Sequence, residues 1–139
     1  MKKMFFTWLI FGLVSIVSKA QSPDDFLGIW LVQDKDAQVE LYKTKEGKLA
    51  GKCVWHKDPN KKDDQNKDPE KRQRSVIGLL VVWDFEWDAE KKEWVNGKVY
   101  KEGKTYCGRM RLNTDGSLFL KGTICGTPLG KTNTWTRVK

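Results

Sequence analysis

The chain holds one histidine, His56, three residues after Cys53. A thiol beside an imidazole is the smallest nucleophile–base pair in protein chemistry. On a regular strand residues three apart face opposite sides, so this pair needs a bulge to meet. Asp84, Glu86, Asp88 and Glu90 set carboxylates at alternate positions, which is raw material for a hydrolytic acid pair. In a charged connection they read more simply as a solvated face, and hydrolysis ranks behind binding. Asp64, Asn66 and Asp68 open like a calcium loop, but Pro69 stands where the sharp turn needs glycine and Ser75 where a bidentate glutamate is needed. Neither a metal nor a cofactor is expected.

Cys53, Cys107 and Cys125 show no C-x-x-C spacing that would suit zinc. Three is an odd number, so one internal bridge leaves one thiol over. Cys107 and Cys125 flank the hairpin signal Asp115-Gly116 and so lie on adjacent strands. They are the preferred pair, and three buried free thiols are the alternative. Lys57, Lys61, Lys62, Lys67, Lys71, Arg72 and Arg74 cluster in a chain with seven tryptophans, a combination that can hold nucleic acid. Acids interleave with that cluster, whereas a strand-tracking groove wants an unbroken basic surface. No nucleic-acid partner is expected.

The elements that must position these groups come after a leader. Lys2 and Lys3 precede an apolar run over residues 4–17, and Ser18 and Ala20 put small side chains at the positions a signal peptidase reads. The run is shorter than the ~20 apolar residues that span a bilayer. Residues 1–20 therefore read as a signal peptide and residues 21–139 as the mature domain, periplasmic or secreted, with no membrane span after cleavage. No cysteine lies at the junction, so no lipid anchor is expected there. The full chain of 139 residues has 26 Lys and Arg against 18 Asp and Glu, a mildly basic balance. Its length suits one domain, and six Phe, three Tyr and the tryptophans exclude a disordered chain.

From Phe26 onward no helical period is sustained. Short segments alternate instead, over residues 28–32, 38–42, 49–56, 76–85, 93–100, 104–112, 117–124 and 131–138. The third places Leu49, Gly51, Cys53 and Trp55 on one face, and the fourth Leu79, Val81 and Trp83. In the sixth, Tyr106, Gly108, Met110 and Leu112 share a face; in the seventh, Leu118, Leu120 and Ile124 point inward. Most links are hairpin-short, which predicts an all-β fold: a single antiparallel up-and-down barrel of about eight strands. One segment breaks the rhythm. Residues 57–74 carry no apolar side chain except Pro59 and Pro69, and loops beyond ~12–15 residues are either functional or disordered. A solvated excursion is the plain reading and a lid over the barrel's open end the sharper one; as surface groups, Arg72 and Arg74 are expected to matter little to stability.

The chain ends carry a structural signal. Gly28-x-Trp30 opens the first strand and Trp135-x-Arg137 closes the last. In a closed barrel these strands pair, so an arginine can cover an indole and plug one end.

Gly28, Trp30, residues 47–55 with Gly47, Leu49, Gly51 and Trp55, then Arg72-x-Arg74, Gly78, Gly103-Lys104-x-Tyr106, and above all residues 130–137 resemble the bacterial secreted proteins of the "domain of unknown function 2147" family. The likeness covers nearly all of the mature chain. It implies a small extracytoplasmic barrel similar to the lipocalins (calycins), and it carries over no catalytic residue. Lys67, Ser75 and the turn after Tyr100 depart from the family pattern, all in loops.

The reading that follows is a non-enzymatic lipocalin-like domain that takes a small hydrophobic or amphipathic ligand. Trp55, Arg72, Arg74, Trp83 and Tyr106 are its candidate contacts. The alternative is a cell-envelope interaction or structural protein acting on a protein partner through its outer strands or the 57–74 loop.

Overall fold

In a computed structural model, which describes Gly12 and residues 21–139, the alternating segments pair in chain order and close on themselves. The leader expected over residues 1–20 falls, but for Gly12, outside the described residues. The strands are β1 (Gly28–Leu31), β2 (Ala37–Lys43), β3 (Leu49–His56), β4 (Leu80–Asp88), β5 (Glu93–Lys101), β6 (Lys104–Leu112), β7 (Leu118–Thr123) and β8 (Gly130–Arg137). Every neighbour is antiparallel, and the barrel shuts where Trp30 faces Arg137 and Leu31 faces Thr136. Closure leaves no sheet edge exposed. Among the described residues no helix is long and apolar enough to cross a membrane.

Two irregularities reset which side chains face inward. In the β2–β3 ladder Val39 opposes Cys53 but Gln38 opposes Trp55, so Val54 is an extra residue. Such a bulge shifts the alternation by one. Leu49, Gly51 and Cys53 stay inside as expected, whereas Trp55 turns outward and is 40% exposed. In β4, Asp84 adopts a left-handed backbone (φ 62°), and the residues buried on this strand are Val82 and Phe85. Of the residues read from alternation as the inner face, Leu79 and Val81 are half-buried and line the interior, whereas Trp83 is half-buried on the outside. The strand also begins later, at Leu80, and runs on through the charged stretch to Asp88. Ile124, expected inside, lies beyond the end of β7 in the β7–β8 turn and is 56% exposed.

One half of the barrel is solid. Trp30, Trp94, Phe26, Phe85 and Met110 are fully buried there. Trp30 Nε1 donates to the carbonyl of Phe26 at 2.9 Å, from a 3-10 turn at Pro23–Phe26 that caps this end. The Arg137 guanidinium lies 4.3 Å over the Trp30 ring and donates to the carbonyls of Leu27, at 2.9 Å, and Asp25. Gly28 sits at φ +129°, and a side chain there would collide with the Lys139 carbonyl and with the same guanidinium. Trp135, two residues before Arg137 on β8, is buried opposite Leu118. A disulfide joins Cys107 on β6 to Cys125 in the β7–β8 loop, and Cys53 is a buried free thiol.

The 57–74 segment is folded. The amide of Asp63 donates to the carbonyl of Arg74 at 2.9 Å, that of Val76 to Lys61 at 3.0 Å, and Lys62 bridges to Ser75. A second short 3-10 turn, Pro69–Lys71, starts on the side chain of Asp68.

Candidate functional site

Beyond the packed half the barrel is hollow. Where β1 turns into β2 and β3 leads into the 57–74 segment, side chains of Val39, Cys53, Val82, Val99, Leu120 and Trp135 line a cavity of about 500 Å³. The cause is side-chain size: tryptophans, Phe85 and Met110 fill the closed half, while mostly valine, leucine and cysteine face the other. The mouth is polar, with Asp34, Asp36, Asp58, Asp64 and Glu102 around it, as well as Lys61, Lys62 and Lys101. Lys101 pairs with Asp34 across part of it at 3.6 Å.

The 57–74 segment lies over this mouth as a flap, held by one carboxylate. Asp63 is 5% exposed. Its Oδ1 accepts from the Tyr100 hydroxyl at 2.5 Å, and its Oδ2 accepts from Arg74 Nη2 at 2.9 Å and from Asn66 Nδ2 at 2.8 Å. Burial by itself would raise this carboxyl, but the three donors and the arginine charge outweigh it and hold it below the ordinary aspartate range. Burial and the same carboxylate push the Tyr100 phenol up. Arg72 Nε donates to the carbonyl of Asn66 at 2.8 Å, a tie within the flap. The two loop arginines therefore hold the flap rather than project freely, and Arg74 carries a buried partner that a surface reading missed.

The bulge at Val54 also brings Cys53 and His56 to the same cavity, an outcome that plain alternation excludes. Their chemistry is quiet. Burial and the nearby Asp36 raise the thiol, whose Sγ donates to the carbonyl of Trp55 at 3.3 Å. His56 Nδ1 accepts from the Asp58 amide at 3.0 Å. The carboxylates of Asp84, Glu86, Asp88 and Glu90 do not gather in a cleft. Asp84 and Glu86 are exposed, Glu86 lies 3.8 Å from Lys48, and Asp88 accepts from the amides of Glu90 and Lys91 in a turn. Asn66 and Asp68 likewise use their oxygens on flap amides.

None of the five contacts expected from sequence lines the cavity. Trp55 faces out; Tyr106 on β6 pairs with Val99 of β5 but is not part of the lining; Trp83 and Arg74 line a separate groove on the outside of the barrel. Val99, Tyr100 and Leu120 do line it. Alternation along the seventh segment points Leu120 inward, in agreement with its place in the lining. Asp63 and Tyr100 are joined only by the fold.

The sequence matches, over residues 28–137, a family model described as uncharacterized protein conserved in bacteria (DUF2147). No curated protein matches it. Among solved structures, protein HP1028 from Helicobacter pylori, described as belonging to the lipocalin family, is similar with a TM-score of 0.70 and 30% identity, over 81% of this chain and 82% of its own.

Proposed function

This chain belongs to the DUF2147 family, and on that premise we propose that it is an extracytoplasmic, non-enzymatic binding protein that encloses one small hydrophobic or amphipathic molecule. The observation that carries this reading is the cavity of about 500 Å³, within the ~300–1,000 Å³ range of small-molecule sites. Its apolar floor suits a hydrocarbon body, and its charged mouth suits a polar head. An eight-stranded barrel is just wide enough to hold one small ligand, and the neighbour in the lipocalin family supports the same use of the fold. Two ion pairs already spend charges around the mouth, since Asp63 holds Arg74 (and the Tyr100 hydroxyl) and Asp34 holds Lys101; this favours binding over catalysis. The leader pattern and the Cys107–Cys125 disulfide favour an oxidising compartment.

Native mass spectrometry of protein purified from its own host tests the reading. The wild type is expected to carry a non-covalent adduct, which Val99→Trp, filling the cavity, removes while the fold is retained. A chain that always flies bare and binds no apolar fluorescent probe saturably overturns it.

A further inference from the structure

A second concavity lies outside the barrel, next to the end of the β3–β4 ladder. There the chain leaves the sheet: Gly78 donates to the carbonyl of Cys53 at 2.7 Å with a left-handed backbone (φ 93°), and β4 begins only at Leu80. The space beside Gly78 is open: among the described residues, chain neighbours aside, no atom comes within 4 Å of where its side chain would stand. The resulting groove, of about 610 Å³, has Trp83, Ile77 and Leu80 on its base and Lys71, Arg74 and Asn66 along the flap side. Ile77 and Leu80 are 36% and 43% exposed, more than a packed sheet face needs.

Its charge is of one sign. The inner cavity is lined by Asp34, Asp36, Asp58, Asp63, Asp64 and Glu102 among its charged groups. The groove is lined by Lys71 and Arg74 and by no carboxylate at all. Lys71 enters no salt bridge among the described residues. Arg74 gives one nitrogen to Asp63 and keeps the rest of its donor fork. An indole beside the unpaired Lys71 ammonium and the remaining donors of Arg74 is a platform for a flat body with a negative end, because the ring supplies stacking area and those donors orient the charge.

We propose that this groove is a second binding site, separate from the barrel cavity, for a small planar apolar molecule bearing a carboxylate or a similar anionic group. The sites share Leu79 and Tyr100 as a wall, so the outer ligand sits behind the residue that latches the flap.

The test is titration of the purified protein with 2-naphthoate, followed through the indole N–H signal of Trp83, assigned by its loss in Trp83→Phe. Saturable movement of that signal is expected, and the uncharged analogue 2-naphthalenemethanol should need about tenfold more ligand, the size of one lost charge contact. Lys71→Gln should weaken naphthoate several-fold and leave the alcohol unchanged. Val99→Trp, which fills the inner cavity, should leave naphthoate binding intact. A Trp83 signal that does not move, equal affinity for the two probes, or binding abolished by Val99→Trp each overturns the proposal.

Discussion

The guanidinium of Arg137 lies 4.3 Å from the ring centre of Trp30, directly opposite it in the short ladder that closes the barrel. The same group donates to two carbonyls of the chain segment that caps that end. A single side chain thus joins the first strand, the last strand and the entry turn. Arg137→Ala is expected to lower stability by about 1–3 kcal/mol, the cost of removing a charged donor from two backbone carbonyls. Arg137→Lys should recover little of it, because a lysine lacks the planar fork. Urea denaturation measures both, and a midpoint unchanged in Arg137→Ala would mean that the plug holds without its cation.

Asp63 makes the flap acid-sensitive. Its carboxyl is held below the ordinary aspartate range, so the folded state binds its proton more weakly than the unfolded state does. The stabilisation is therefore complete above about pH 4, the unfolded value, and is lost as pH falls through the lower folded value. Protection of the Asp63 and Val76 amides against hydrogen exchange, corrected for the intrinsic rate, should fall in acid before that of the strands. In Asp63→Asn the protection should be low at every pH. A wild-type flap that opens only with global unfolding would remove Asp63 as its latch.

The barrel was readable because its cause is local. Alternation at Leu118 and Leu120 and the Asp115-Gly116 turn each act within a few residues, and Gly28, Trp30, Trp135 and Arg137 matter because closure brings strand ends together. The site was not readable in the same way. One extra residue at Val54 turned Trp55 out and His56 in, and a left-handed Asp84 lets Val82 and Phe85, three positions apart, both be buried. Bulges of this kind depend on pairing partners that the strand's own sequence does not name. The latch joins Asp63 to Tyr100 across 37 positions, a distance at which charge and spacing carry no signal.

Gly97 is a packing position. It faces Gly108 across β5–β6, and a methyl there would overlap the fully buried ring of Phe85. Gly97→Ala should destabilise by about 1–3 kcal/mol, the usual cost of overfilling a core. Phe85→Leu is itself destabilising, but the two changes together should cost less than their sum, since the smaller side chain vacates the space the methyl needs. Denaturation midpoints of the double-mutant cycle decide this. Strict additivity would show that the ring is free to move aside.

Cys53 reports on the mouth. The thiol is 2% exposed, faces the cavity beneath the flap and is raised by burial and by Asp36. A thiol reacts as its thiolate, so both access and ionisation work against it. Ellman's reagent at pH 8 should therefore label the native protein on the order of 100-fold more slowly than the denatured chain, which exposes one free thiol, through local opening rather than direct attack. Loosening the flap with Asp63→Asn should speed labelling, because the reagent enters where Asp63 now closes the mouth. Filling the cavity with Val99→Trp should slow it further. Native labelling as fast as denatured labelling would show instead that the mouth stands open and leaves the thiol accessible.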